Sequence, residues 1–219
     1  MTKLRGNKCH VEKSVNSRKS SGINLKNAAK ETGIRRRKDN RYYPIPGNNT
    51  VEIAVLSDSH VGQRIEHFPQ DLLRELKRFD AIMHCGDYTS SSALTVLQEM
   101  FVFHGVAGNM DNSFIRNNLC ESLTLKLEGV RIGMMHGWGT PDMLNRKVLD
   151  ALRDKYPDFN LNLVLYGHSH KPSDEFIDGV RIINPGSVSG NVHSSHGSWG
   201  ILSLSNGIIE WELRQIEVE

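Results

Sequence analysis

The stretch Leu165-Tyr166-Gly167-His168-Ser169-His170 runs a short apolar strand into a glycine and then sets two histidines two positions apart. Alternate side chains of a strand point to one face, so His168 and His170 can enter one cleft together. Alone, a His-x-His pair is weak evidence, because surface loops contain such pairs by chance. The construction recurs upstream. VLSDSH ends at Asp58 and His60, IMHCGD at Asp87, and VAGNMD at Asn109 and Asp111. Each is an apolar run that stops at a small residue before a side chain able to bind a metal. IGMMHG carries a fourth apolar run directly to His136.

Working outward from these strand ends, residues 52–56, 81–85 and 101–107 read as strands, with helices expected over 68–78 and 93–100 between them. Leu72, Leu73, Leu76 and Phe79 share one face of the first helix. Beyond Asp111 the texture alternates. Strands are expected at 123–127 and 130–135 around a Glu128-Gly129 turn, at 161–166, at 175–177 and 180–183 around Asp178-Gly179, and at 198–203 and 208–214 around Asn206-Gly207. A helix over 141–153 has Pro141 at its start, where proline is tolerated. Helices alternate with strands early and strands dominate late. The pattern implies an α/β fold of two packed mixed β-sheets, a β-sandwich flanked by helices, with the early sheet largely parallel. Such sheets bind ligands at the carboxyl ends of their strands, where every residue named above lies.

Composition divides the chain. Residues 1–50 hold 13 Lys and Arg against 3 Asp and Glu, a charge of +10, which leaves 14 against 22, or −8, for the rest. Residues 1–48 show no sustained apolar periodicity, so a mostly disordered basic arm is expected there, with the folded domain over 49–219. The arm suits nucleic acid, an acidic partner or a membrane surface; a solvated extension without a role and an organelle-targeting peptide are the competing readings. No apolar run is long enough for a membrane span and the N-terminus has no apolar signal core, so a cytoplasmic protein is expected. Cys9, Cys85 and Cys120 lie far apart without a Cys-x-x-Cys pair and read as reduced thiols, with Cys85 buried at a strand end.

Two close divalent cations need hard oxygen ligands, neutral imidazoles and a carboxylate able to bridge. Asp58, His60, Asp87, Asn109, His136, His168 and His170 offer that set, and Asp87, isolated after Gly86, is the simplest bridge. Two aspartates against four positive charges leave a net positive pocket suited to a phosphate ester.

The ordered motifs Asp58-Ser59-His60, Gly86-Asp87, Gly108-Asn109, His136-Gly137 and Gly167-His168-Ser169-His170 resemble those of the calcineurin-like metallophosphoesterases. Within that family the chain looks most like the small YfcE-type phosphodiesterases and a retromer subunit, and Asn184-Pro185-Gly186-Ser187-Val188 is similar to that group's usual ending. The resemblance implies that Asp58, His60 and His170 bind one metal, that Asn109, His136 and His168 bind another, and that Asp87 bridges. It further implies a bridging hydroxide attacking phosphorus in line, with Mn²⁺ the expected ion and Fe, Ni, Co or Zn compatible with the ligand set. Asp87 and Asn109 are then catalytic, and Asp111 either orients its neighbour or supplies a missing acid. Larger family members follow the Asn ligand with His-Glu; here Met110-Asp111 stands instead, and a thioether cannot protonate a leaving group. Diesters and activated esters are therefore expected to turn over better than alkyl monoesters. A binding scaffold with a vestigial site, as in the retromer relative, is the alternative, and the closing strands could pair in a homodimer. His84 and His104 read as packed core residues, His193 and His196 as members of a Gly/Ser-rich loop, and Trp138 as a half-buried aromatic or a pocket wall.

Overall fold

The computed structural model describes residues 50–190 and 196–218, together with the backbone of Cys9–His10. In chain order the elements are β1 (Cys9–His10), β2 (Val51–Leu56), α1 (Gln70–Leu76), β3 (Ala81–His84), α2 (Ser91–Met100), β4 (Phe103–Gly105), α3 (Ser113–Asn118), β5 (Ser122–Leu127), β6 (Val130–Met135), α4 (Leu144–Lys155), β7 (Leu163–Leu165), β8 (Ser173–Ile177), β9 (Val180–Asn184), β10 (His196–Ser205) and β11 (Ile208–Glu217).

Two mixed sheets result. One has the order β11-β10-β2-β3-β4, in which β2, β3 and β4 run parallel. The other has the order β5-β6-β7-β9-β8 and is joined at its β5 edge by the two-residue β1. That strand falls within the stretch expected to be mostly disordered; the rest of residues 1–48, and His193, lie outside the described residues.

Strand alternation builds three apolar layers. Ile53 and Val55 of β2 face Leu163 and Leu165 of β7 across the core between the sheets. Their neighbours Ala54 and Leu56 turn outward beneath α1 and α2, where Leu72, Leu76, Leu94 and Leu97 are buried. On the opposite outer face Val164 and Ile182 receive α4 through Leu144, Val148, Leu149 and Leu152. That spacing is one stripe of a helix, and each such burial contributes about 1.5–3 kcal/mol.

The three hairpin turns expected from sequence carry left-handed backbone at Glu128, Asp178 and Asn206, each followed by a glycine that is also at positive φ. Two helices differ from expectation. The helix expected from Pro141 begins only at Leu144, because Pro141 closes a turn by accepting the Leu144 N–H and Met143 sits at φ 55°. The third helix, α3, is unannounced by apolar periodicity; Asn112 caps it by accepting the Ile115 N–H. Cys120 is disulfide-bonded, which corrects the expectation of a reduced thiol there; among the described residues Cys85 is the free cysteine, and it is buried. Distance along the chain says little about distance through a sandwich.

Candidate metal centre

Five strand ends converge. Asp58 and His60 follow β2, Asp87 follows β3, Asn109 follows β4, His136 follows β6, and His168 and His170 follow β7. Four of the seven side chains thus come from one sheet and three from the other.

Asp58 is fully buried, and His60, Asp87 and His136 are 2–3% exposed. His170 Nε2 stands 3.1 Å from Asp58 Oδ1 and 3.2 Å from His60 Nε2. His136 Nε2 lies 3.2 Å from Asp87 Oδ2 and 3.9 Å from Asp58 Oδ1. Asp87 Oδ2 is also 3.8 Å from His60 Nε2, which places this carboxylate between the groups. Asn109 Oδ1 is 3.1 Å from His136 Nε2 and 2.8 Å from His168 Nδ1. Two sets of acid and imidazole donors fall within metal-binding reach: Asp58, His60 and His170, and Asp58, Asp87 and His136.

The sequence places His168 and His170 on one strand face; the structure corrects this. Strand β7 ends at Leu165, and the histidines lie beyond it at φ 70° and 56°. They join different partners, His168 with Asn109 and His170 with Asp58. Asp58, His60 and Asp87 are also left-handed, at φ 51°, 43° and 58°. Such backbone costs non-glycine residues about 1–3 kcal/mol each and persists where surrounding contacts over-determine it.

Those contacts are visible. Asp58 Oδ2 accepts from Ser57 Oγ at 2.5 Å and from the His168 N–H at 3.0 Å. The Asp58 carbonyl accepts from Ser187 Oγ and Ser189 Oγ, so the Asn184–Ser189 turn holds the loop after β2. Asp87 Oδ1 accepts the Met110 N–H at 2.7 Å, which leaves Oδ2 to face the cleft. Asp111 is 4% exposed, and its carboxylate accepts N–H groups from Gly108, Thr89 and Asp87 at 2.7, 2.8 and 3.2 Å. Burial pushes its pKa up against those bonds. The glycines permit the close approach: a Cβ on Gly167 would meet Ser57 Oγ and stand 2.7 Å from Asp58 Oδ2, and one on Gly108 would collide with Asp87.

His84 is a core histidine, as expected. Its Nδ1 accepts the Gly86 N–H, so its Nε2 donates to Ser59 Oγ at 3.1 Å, and the ring stacks on Tyr88. Burial holds its pKa down to about 3. His104 is only half-buried, His196 begins β10 on the surface, and Trp138 is 48% exposed. Sequence reasoning missed the supporting serines and Arg64, whose Nη1 lies 3.0 Å from His170 Nδ1. Asn184-Pro185-Gly186-Ser187 was the available signal for the serines; none existed for Arg64.

The electrostatics call for positive charge. Burial opposes ionisation of Asp58, yet the charge of His136 and the neighbouring imidazoles hold its carboxyl well below the usual range; Asp87 is likewise lowered by His136 against its burial. Burial likewise disfavours charge on His136, but the two carboxylates raise its pKa to about 9. Asp58 Oδ1 and His60 Nδ1, both buried, have no hydrogen-bond partner among the described residues. An orphaned carboxylate oxygen surrounded by imidazole nitrogens fits a divalent cation.

Residues 51–207 match the calcineurin-like phosphoesterase superfamily domain. The chain belongs to this superfamily. The phosphoesterase domain is 31% identical over 144 residues to a probable metallophosphoesterase of Methanocaldococcus jannaschii, covering 63% of this chain and 68% of that one. A phosphodiesterase of the same organism is 22% identical over 157 residues, covering 64% and 86%. Among solved structures, a Thermotoga maritima protein superposes with TM-score 0.62 at 35% identity, covering 76% of this chain and 99% of that one. Vps29 of Entamoeba histolytica, as a single mutant, shares the fold with TM-score 0.60 at 22% identity, covering 76% and 100%.

Proposed function

We propose that this phosphoesterase domain is a two-metal-dependent phosphodiesterase. Asp58, His60 and His170 would hold one divalent cation, Asn109, His136 and His168 a second, with Asp87 between them. The observation that carries the reading is the buried Asp58 Oδ1, without a hydrogen-bond partner among the described residues and ringed by imidazoles. Bound divalent cations supply the charge that polarises a phosphate ester and make a nucleophile of water near neutral pH. The mixed nitrogen and oxygen set suits Mn²⁺ and also Fe, Ni, Co or Zn.

The chain's own residues set the rest. Asp87 presents one oxygen to the cleft while its other is tied to Met110 N–H. Asp111 acts as a positioning residue, because both its oxygens are committed to backbone N–H groups that fix the loops of Asp87 and Asn109. Met110, 49% exposed, stands at the motif position where larger members of the superfamily carry a histidine, and a thioether donates nothing. Losing a general acid costs roughly a hundredfold to ten-thousandfold for poor leaving groups, which favours diesters and activated esters over alkyl monoesters. The phosphodiesterase among the relatives supports the same class.

The test is turnover of a chromogenic aryl diester and of an alkyl phosphate monoester by Mn²⁺-loaded wild type and Asp87→Asn. Diester hydrolysis by wild type alone is expected. The likeness to Vps29 keeps the scaffold alternative in view. No turnover by wild type carrying two bound metals decides for the scaffold, and a preference for the alkyl monoester removes the diester assignment.

A further inference from the structure

Away from the metal centre, a cleft of about 370 Å³ opens on the face of the β2 sheet that α1 covers. Ser203 of β10 pairs with Glu52 on one side and with Glu210 on the other, so the two glutamates share a face and stand two strand spacings, roughly 10 Å, apart. Glu212 follows Glu210 on the same face of β11. Helix α1 and the turn after it close the cleft with Glu75, Arg78 and Phe79. Arg214 is already held by Glu212 at 3.1 Å. Among the described residues lining the cleft, Glu52, Glu75 and Glu210 are then left with Arg78 as the remaining cation. Asp80 adds a carboxylate beside them, where its Oδ2 accepts the Glu52 N–H at 2.9 Å.

The path of the chain brings one basic segment to this place. Strand β2 begins at Val51, so the residues before it join the folded domain next to Glu52, at the cleft itself. Upstream stand Arg35-Arg36-Arg37-Lys38 and Arg41, within a stretch of charge +10 against −8 for the rest of the chain. Lys38 precedes Thr50 by twelve residues, a reach of up to roughly 40 Å, several times the separation of Glu52 and Glu210. At the other end β1 lays Cys9–His10 along β5, so residues 11–49 are tied to the domain on both sides. A segment tethered in this way meets its own domain at high effective concentration, and ion pairs too weak to join two molecules can act within one.

We propose that this cleft is the docking site of the chain's own basic segment, residues 35–41, whose cationic side chains pair with Glu52, Glu75 and Glu210. Guanidinium forks match carboxylates, and Phe79 and Ile201, which also line the cleft, suit the apolar stems behind them. An arm docked here is withheld from any polyanion. Strand β2 enters the sheet at the cleft and runs out of it toward Asp58, so the docking site and the metal centre lie at opposite ends of one strand. The docking therefore stands apart from the phosphodiesterase reading.

The rate of tryptic cleavage of the full chain after residues 35–38, followed by mass spectrometry, tests this. Trypsin must take the basic side chain into its own pocket and cannot cut while the cleft holds it, so the rate follows the undocked population. Glu75→Gln combined with Glu210→Gln should speed this cleavage about three- to tenfold, the span of one or two exposed ion pairs. Asp154→Asn combined with Asp158→Asn removes the same charge from the exposed surface at the end of α4 and should leave the wild-type rate unchanged. Unchanged cleavage in the variant lacking Glu75 and Glu210 overturns the assignment. Equal acceleration in both variants overturns it too, because the arm would then answer to overall charge and not to the cleft. So does a wild-type protection that disappears on dilution, since the occupant would be the arm of a second copy.

Discussion

The half of the cleft around Asn109 and the half around Asp58 each pair two imidazoles with one side-chain oxygen donor, but all three residues of the Asp58 half are left-handed against His168 alone in the other, and their outer contacts differ. His136 and His168 are aimed by backbone carbonyls that accept their outer N–H groups. His60 Nδ1 is buried without a partner among the described residues, and His170 Nδ1 meets a donor. The outer nitrogens of the first half are tied to backbone oxygens; those of the second are not. Outer contacts of this kind change metal affinity by about 10–100-fold.

The largest effect is expected at the residue common to both halves. Asp87→Asn should lower diester turnover by more than about a hundredfold, beyond the range of an outer contact alone. A variant with turnover near wild type would detach Asp87 from both. Next, titration of metal-free protein with Mn²⁺ should show two phases about ten- to hundredfold apart in affinity. His168→Ala should remove the tighter phase and His170→Ala the weaker one. A single phase, or the opposite assignment, breaks the comparison.

Smaller is the effect of Asp111→Ala, which strips acceptors from three buried N–H groups, two in the loop of Asp87 and one beside Asn109. It should cost about 2 kcal/mol or more in denaturant-induced unfolding and weaken both phases, because the loop of the shared Asp87 loses two of its anchors. Least visible at neutral pH is His84, whose pKa is held at about 3 in the folded protein against an ordinary 6.5. Below pH 6.5 the unfolded chain takes up a proton that the native ring refuses, so stability falls with acidification toward pH 3, by up to about 1.4 kcal/mol per pH unit. His84→Gln should flatten that part of the stability profile; an unchanged slope would mean that His84 protonates freely when folded.

The sandwich was legible because residue alternation assigns a face directly: Ile53 and Ala54, or Val164 and Leu165, could go only to opposite sides. The glycine-containing hairpin turns were legible for the same local reason. Helix α3 was not, since its six residues bury only Ile115 and no stripe can emerge from one apolar contact. All seven candidate ligands were nameable from their strand-end motifs. Their backbone was not, because the left-handed conformation at Asp58 is held by Ser187 and Ser189, and that at His168 by the Asp58 carboxylate, all from distant positions in the chain. Arg64 lay beyond reach of the sequence altogether: an arginine in a polar loop looks like solvated charge until the chain folds it against His170.

The division of the seven side chains, four on one sheet and three on the other, makes the cleft a hasp between the layers. At this end the layers meet through acids and imidazoles where elsewhere they meet through aliphatic side chains. Any ion seated there is a rivet through both leaves, and its departure should let the loops after β2 and β7 exchange their amide hydrogens sooner than the strands that feed them.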